Sequence, residues 1–267
     1  MKTGFFEAVK SCIAVSDPNS KCAAVAALAE ALEPGDLGRD FDYPVDLIGP
    51  PGRPALPELV DASRVPRRRL GSEAGRAALV HAIAHIEFNA INLALDAAYR
   101  FRDMPSAFYQ DWISVAVDEA RHFGLLQSRL RDLGHEYGDF PAHNGLWEMA
   151  EKTAGSCLER MALVPRVLEA RRLDVTPGMI ERLTAAGDQE TVVALEVILA
   201  EEVRHVAIGT RWFRYCCELG GLEPLPTFLD LLKRHYGGTL KGPFNLDARY
   251  EAGFTAEEMA ALTAGLG

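Results

Sequence analysis

Four long segments of the chain repeat apolar residues at helical spacing, and each is rich in alanine and leucine. This pattern predicts four long helices, because apolar residues three and four positions apart form one face of a helix. Ser72 and Asp188 are candidate N-caps, Gly134 is a candidate stop signal, and Thr176-Pro177 predicts the start of a short additional helix. The four predicted helices cover residues 72–100, 106–133, 145–173 and 188–218. The pattern therefore predicts an all-α protein.

The segments on either side of these helices differ from one another. The first 33 residues predict a helix, with Asp17-Pro18 as a candidate start. The next segment is dense in proline and glycine, which excludes a helix, yet its recurring apolar residues predict an ordered strap packed over the bundle. The end of the chain predicts a helix from Leu225 to about Tyr236 and a short one from Thr255. The predicted organisation is an N-terminal helix and proline-rich strap at 1–71, a four-helix bundle at 72–221 and a C-terminal helical extension at 222–267.

Two of the predicted helices carry the same Glu-x-x-His motif. Residues three apart lie on one face of a helix, so each motif directs a carboxylate and an imidazole the same way. The predicted helix before each motif has a glutamate on its apolar stripe, where a lone carboxylate is costly unless it is paired or bound to metal. A single Glu-x-x-His often marks a solvated helix face, but a repeated arrangement favours a metal site. The candidate metal ligands are Glu87, Glu119, His122, Glu159, Glu202 and His205.

Carboxylate oxygens and imidazole nitrogens suit two metal ions of hard to intermediate character. Iron is the metal we expect first, and manganese or a mixed manganese–iron pair accepts the same ligands, so the sequence does not choose among them. Ligand carboxylates are ionised and ligand imidazoles neutral, which couples metal binding to proton release. The sequence singles out no catalytic residue beyond these ligands.

Composition limits the class of protein. The 267 residues carry a net charge of −10 and 48% apolar residues, which is ordinary for a globular chain. No apolar run is long enough to span a membrane, and the N-terminus lacks the apolar core of a signal peptide, so we expect a cytoplasmic protein with no membrane partner. The negative charge disfavours nucleic acid as a partner, with the short basic run 64–69 as a local exception. Five cysteines, an odd number without Cys-x-x-Cys, indicate structural thiols.

On the motifs Glu119-Ala-Arg-His122 and Glu202-Val-Arg-His205, together with Glu87 and Glu159, the chain resembles the ferritin-like di-iron carboxylate superfamily. More narrowly, it resembles a bacterial family of ferritin-like domain proteins of unestablished function. The resemblance implies a ferritin-like four-helix bundle with two metals between its helices. In that arrangement Glu119 and Glu202 would bridge or cap the metals, each histidine would bind one metal, and Glu87 and Glu159 would be terminal ligands.

Several functions are compatible with such a site. The first is an oxygen-activating oxidoreductase or hydroxylase of unknown substrate, which would need an external electron donor. Its substrate would be a small molecule or, by analogy with a related family that hydroxylates modified tRNA, a modified nucleotide. The alternatives are a ferroxidase, a di-manganese catalase and a non-catalytic structural protein. A homodimer is compatible with each of them.

Overall fold

Helices form the regular structure of the residues that the computed structural model describes, which are 4–32, 45–46, 48–65, 70–237 and 240–264. The remaining residues of the predicted strap and most of the basic run 64–69 lie outside this set. The all-α class is confirmed for the described residues. The chain divides into two units, Met1–Glu148 and Met149–Gly267. The helices are α1 (Phe5–Ala14), α2 (Pro18–Ala31), α3 (Glu73–Arg100), α4 (Ser106–Asp132), α5 (Gly145–Lys152), α6 (Cys157–Leu163), α7 (Ala170–Ala185), α8 (Gln189–Leu219), α9 (Pro224–Tyr236), α10 (Leu246–Glu251) and α11 (Ala256–Ala264), with a π-helical segment at Val164–Glu169 between α6 and α7.

The first unit is built on the hairpin of α3 and α4, which pack closely along their length. The hydroxyl of Ser72 accepts a hydrogen bond from the amide of Gly75, so the predicted N-cap of α3 is confirmed. Gly134 follows α4 with a φ of 74°, a left-handed conformation that glycine adopts without strain. The N-terminal segment forms two helices instead of the predicted one, because Asp17 caps a new helix whose first residue is Pro18.

The described part of the strap is hydrogen-bonded to its neighbours in the same unit. The amide of Gly52 donates to the carbonyl of Ile13 near the end of α1, at 2.9 Å. A Cβ atom at position 52 would overlap the carbonyl of Ala14, so this close approach requires glycine. Val60 donates to the carbonyl of Ala142, and Ala142 donates to the carbonyl of Glu58. These three hydrogen bonds attach the described part of the strap to α1 and to the loop after α4.

The second unit differs from the sequence prediction in its first long helix. A turn at 153–156 separates α5 from α6, so the predicted helix over 145–173 is wrong in its first third. From Cys157 the chain continues through α6, the π-helical segment and α7 as one rod that ends at Ala185. Thr176-Pro177 does not start a new helix, because Pro177 lies inside α7. The predicted cap of α8 is confirmed, since the Asp188 carboxylate accepts from the amide of Thr191.

The C-terminal helices of the second unit are attached to the α6–α7 rod by buried arginines. Arg249 of α10 forms a two-point ion pair with Asp174, at 2.8 and 2.7 Å. Arg166 pairs with Glu258 of α11, and its guanidinium lies over the rings of three phenylalanines. These rings belong to Phe213, Phe228 and Phe254. Buried cations are stabilised by such paired and aromatic surroundings, which anchors the tail within this unit.

Helix α3 is long and apolar enough to cross a membrane by length and composition, with a mean hydropathy of 1.3 in its most apolar window. However, 83% of that window is buried inside the protein. Among the described residues it is the one helix that passes this test. Such burial is typical of the core helix of a soluble protein.

Candidate metal centre

The first unit brings three of the predicted ligands together. Glu87 on α3 meets Glu119 and His122 on α4, and one ligand atom from each lies within 4.8 Å of the others. The His122 Nδ1 atom is 3.4 Å from Glu119 Oε2 and 3.6 Å from Glu87 Oε2. All three side chains are fully buried. We call these three residues the first triad.

The electrostatics of the first triad are set by two carboxylates that share one imidazole. Burial by itself lowers the pKa of His122, but hydrogen bonds and charge from Glu119 and Glu87 outweigh burial and raise the pKa to about 9. In the metal-free protein a proton on His122 therefore offsets part of the carboxylate charge. A metal cation at this position would replace that proton and balance the charge more completely, because ligand imidazoles bind metal in the neutral form.

The second Glu-x-x-His motif lies on α8 of the second unit. His205 Nδ1 is 3.6 Å from Glu202 Oε1, and both side chains are buried. Arg172 of α7 forms an ion pair with Glu202. The motif thus has the same i, i+3 geometry as the first one, but an arginine from the neighbouring helix offsets the glutamate charge here.

The packing of the α6–α7 rod against α8 indicates which glutamate of the rod lies opposite the second motif. Pro165 packs on Gly209 so closely that a Cβ atom at position 209 would overlap the proline ring. Arg172 pairs with Glu202. Pro165 and Arg172 are seven residues apart on the rod, and their partners Gly209 and Glu202 are seven residues apart on α8 in the opposite direction. Both contacts therefore fit one antiparallel alignment of the rod with α8. From this register we infer that Glu169, which is 3% exposed, lies level with His205. We call Glu169, Glu202 and His205 the second triad.

Glu159, the sequence-predicted ligand of this unit, has different neighbours. It is the third residue of α6, and its amide donates to the Ser156 hydroxyl as part of the helix cap. Its carboxylate lies 3.3 Å from Arg234 Nη1 and 3.7 Å from His235 Nε2, both on α9. The side chain is 25% exposed, whereas the three residues of the second triad are buried. The carboxylate of Glu159 is thus engaged by basic side chains of α9.

Glu169 is an additional candidate ligand that the sequence analysis did not name, although the chain carries a signal for it. Glu87 precedes His122 by 35 residues, and Glu169 precedes His205 by 36 residues. The corresponding distance for Glu159 is 46 residues. The internal repeat therefore favours Glu169 over Glu159. The spacing in the second half is one residue longer than in the first, and this extra residue coincides with the π-helical segment that ends at Glu169. Such segments insert a residue into a helix and occur often at functional sites.

Other polar residues of α3 and α4 have partners of their own. Asp118 and Arg121 form an ion pair at the surface of α4, at 3.3 Å. His85 is hydrogen-bonded to the hydroxyl of Tyr137 at 2.8 Å and to the side chain of Asn89 at 3.0 Å. The five cysteines are free thiols, as expected for a chain without structural disulfides.

Each triad offers two carboxylates and one imidazole in a buried setting, and this donor set fits iron, manganese or zinc. Thiolate-preferring ions fit less well, because no sulfur atom belongs to either triad. A buried pair of carboxylates is strongly destabilising without a compensating cation. The residues of both triads therefore fit a divalent metal ion by charge, by burial and by ligand chemistry.

Comparison with known proteins gives a family without a function. Residues 14–260 match the family model described as "Protein of unknown function (DUF455)". An uncharacterized protein from Haemophilus influenzae (strain ATCC 51907 / DSM 11121 / KW20 / Rd) is 44% identical over 268 residues, which covers 96% of this chain and 93% of that protein. No solved structure matches the chain.

Proposed function

The chain belongs to the DUF455 family of unknown function, and we propose that it is a two-metal carboxylate protein acting as an oxygen-activating oxidoreductase. The observation that carries this proposal is the buried cluster of Glu87, Glu119 and His122, together with the repeat of its Glu-x-x-His pair at Glu202 and His205. The first triad is Glu87, Glu119 and His122, and the second is Glu169, Glu202 and His205. Repetition of this donor set favours a shared role as metal ligands over two unrelated buried charge clusters.

In this proposal each triad holds one metal ion, with iron as the first expectation, and the fold is a ferritin-like four-helix bundle. The assignment replaces Glu159 with Glu169, because Glu169 is buried level with His205 and Glu159 is paired with α9. Four carboxylates balance the charge of two divalent ions, and both imidazoles would bind in the neutral form. Bound iron or manganese would supply redox chemistry toward oxygen or peroxide.

The protein residues contribute charge, orientation and exclusion of water. The i, i+3 spacing holds each histidine beside its glutamate on one helix face, so the two ligands are pre-positioned before metal arrives. The triad side chains are at most 3% exposed, which strengthens electrostatic interactions at the site and restricts access of bulk water. In the first triad the metal would displace the proton of His122, and in the second it would share the charge of Glu202 with Arg172.

Metal analysis tests the first part of the proposal. We expect about two metal ions per chain after purification without chelators, as measured by elemental mass spectrometry. The double variant Glu119→Ala, Glu202→Ala should lose most of this metal, because one carboxylate is removed from each triad. Asp118→Asn is the matched control, since Asp118 is the chain neighbour of Glu119 but pairs with Arg121 at the surface. Full metal occupancy in the double variant would refute the proposal.

Turnover tests the second part. Protein loaded anaerobically with ferrous iron should consume oxygen when air is admitted, as followed with an oxygen electrode, and the double variant should not. Metal-free samples of the same two proteins should also be loaded with manganese and tested for conversion of hydrogen peroxide to oxygen. This assay separates a catalase from an oxygen-activating enzyme. Metal-loaded protein that turns over neither oxygen nor peroxide would contradict the enzyme assignment and leave the non-catalytic alternative.

A further inference from the structure

Helix α3 carries a second set of buried polar side chains on the face opposite Glu87. Asn89 follows Glu87 by two positions, which places it roughly 200° around the helix axis. His85, Asn89 and Asn92 are at most 5% exposed. Asparagine is unfavourable in the interior of an apolar helix, and buried amides require hydrogen-bond partners. This polar face is separate from the first triad and needs its own explanation.

The strap covers this face and leaves a cavity of about 170 Å³ beneath it, within the first unit. The volume is below the roughly 300–1,000 Å³ of pockets for drug-sized ligands, so a small metabolite is the appropriate scale. We call this space the Asn89 cavity. It is lined by Pro50, Pro51, Arg53, Leu59, His85, Phe88, Asn89, Asn92 and Asn144.

The formal charge at the wall of the Asn89 cavity is positive. Among the described residues that line the cavity, Arg53 is accompanied by neutral side chains and by no carboxylate. His85 is neutral at pH 7, because burial lowers its pKa to about 4. Behind Asn92 lies the fully buried Lys21, whose Nζ donates to Asn92 Oδ1 at 2.7 Å. In a protein with a net charge of −10, two cations around one cavity favour an anionic ligand.

Arg53 has an edge that remains open for such a ligand. Its Nη1 atom donates to the carbonyls of Pro54 and Pro57, at 3.1 and 3.3 Å, which fixes the guanidinium to the strap. Its Nε and Nη2 atoms make no hydrogen bond within the part of the chain that the structure describes. These two nitrogens form the fork that binds a carboxylate through two parallel hydrogen bonds.

Two amides of the cavity wall complement the arginine. Asn89 donates from Nδ2 to the carbonyl of His85 at 2.9 Å and contacts the His85 ring at 3.0 Å. Its Oδ1 atom accepts no hydrogen bond from the described residues, and the Asn144 side chain likewise makes none. Because Asn89 and Asn144 line the cavity, their side-chain amides suit a ligand hydroxyl, while Phe88, Leu59 and Pro51 form an apolar wall for its carbon atoms.

We propose that the Asn89 cavity binds a small hydroxycarboxylate, with its carboxylate on Arg53, its hydroxyl on Asn89 or Asn144 and its carbon atoms against Phe88. Inorganic phosphate fits less well, because the wall offers one guanidinium and a large apolar area instead of several convergent cations or backbone amides. An amino acid is disfavoured because its ammonium group would lie near Arg53 and Lys21.

Isothermal titration calorimetry on the full chain tests this proposal with lactate and 4-hydroxybenzoate as probes. We expect at least one of them to bind with a Kd below about 1 mM. The neutral isostere 4-hydroxybenzamide should bind at least about tenfold more weakly, because it cannot pair with Arg53. Inorganic phosphate is the other anion tested. Metal content is measured on the same samples, so failure of the metal proposal is detected separately from failure of this one.

Variants locate the binding. Arg53→Gln should weaken binding of the better probe at least about tenfold, whereas Arg64→Gln on the same strap, where the side chain is exposed, should leave the Kd unchanged. Because Arg53 also holds the strap, Asn144→Leu serves as a second variant that keeps those hydrogen bonds and should weaken binding as well. The proposal is overturned if neither probe binds below about 10 mM, if phosphate binds about tenfold more tightly than both, or if Arg53→Gln and Asn144→Leu bind like wild type.

Discussion

The two Glu-x-x-His motifs have the same local geometry but different neighbouring helices. In the first unit the motif faces a glutamate on a regular helix, and the two carboxylates raise the pKa of His122. In the second unit the rod opposite the motif has a π-helical segment, packs tightly on Gly209 and contributes Arg172 to Glu202. The same local motif can therefore have its charge offset by different residues, and the helix that faces it can be aligned by different packing contacts.

The largest expected effect concerns the close packing that sets the register of the second unit. Gly209→Val places a branched side chain where even a Cβ atom overlaps Pro165, so the rod and α8 must separate. We expect a loss of about 3 kcal/mol or more in the free energy of unfolding, measured by chemical denaturation.

The matched control for this variant is in the first unit. Gly124→Ala is at an exposed position of α4, where an added Cβ meets no atom within 4 Å. It should stabilise the protein by about 0.5–1 kcal/mol through helix propensity. If both variants lost the same free energy of unfolding, the close packing at Gly209 would not be the feature that stabilises the contact between the rod and α8.

The second prediction compares how buried cations are compensated in the two units. Lys21 donates to the carbonyls of Cys12 and Ile13 and to Asn92, and burial lowers its pKa to about 8, whereas Arg249 is paired with a carboxylate. The unfolded chain therefore holds the proton more tightly than the folded protein between about pH 8 and 10.5. Stability relative to the Lys21→Met variant should rise across this window, on the order of 2 kcal/mol.

Denaturation midpoints of the wild type and of Lys21→Met, measured from pH 7 to pH 10.5, check this sign. Lys233→Met is the control, because Lys233 is exposed on α9 and should show no such pH-dependent difference. A difference between wild type and Lys21→Met that stays constant or shrinks with rising pH would contradict the expected direction.

The third prediction separates the two candidate glutamates of the second unit. Glu169→Gln should weaken one of the two bound metal equivalents at least about tenfold, because a buried ligand carboxylate becomes a neutral amide. Glu159→Gln should leave both equivalents bound, since Glu159 is paired with α9. Glu87→Gln should have the same effect as Glu169→Gln but on the first triad.

Competition with a chelator, followed by elemental analysis, measures these affinities. Thermal melting of each variant in the metal-free form controls for loss of folding. If Glu159→Gln releases metal and Glu169→Gln does not, the ligand set predicted from the sequence is right and the register assignment is wrong.

The smallest expected effect comes from Arg172, the cation that distinguishes the second triad from the first. Arg172→Gln removes a positive charge from Glu202, so a divalent ion should bind the second triad more tightly, by about 1 kcal/mol, with little change at the first. Stepwise metal titration resolves the two sites. Weaker binding at the second site in this variant would indicate that Arg172 orients Glu202 for the metal.

Much of this protein follows from the sequence alone. The caps at Ser72 and Asp188 and the stop signal at Gly134 correctly limit α3, α4 and α8, because these signals act through the local backbone. The pairing of Glu119 with His122 and of Glu202 with His205 also follows locally, since residues three apart on one helix must share a face.

Tertiary structure decided what depends on the alignment of separate elements. The sequence offers Glu159 and Glu169 on the same rod, and only the packing of Pro165 on Gly209 and the pairing of Arg172 with Glu202 set the register that brings Glu169 level with His205. The π-helical segment shifts the helix face by one residue, which an ideal helical period does not anticipate. The Asn89 cavity likewise exists because strap and helix are far apart in sequence, and side-chain periodicity within one segment carries no information on such long-range contacts.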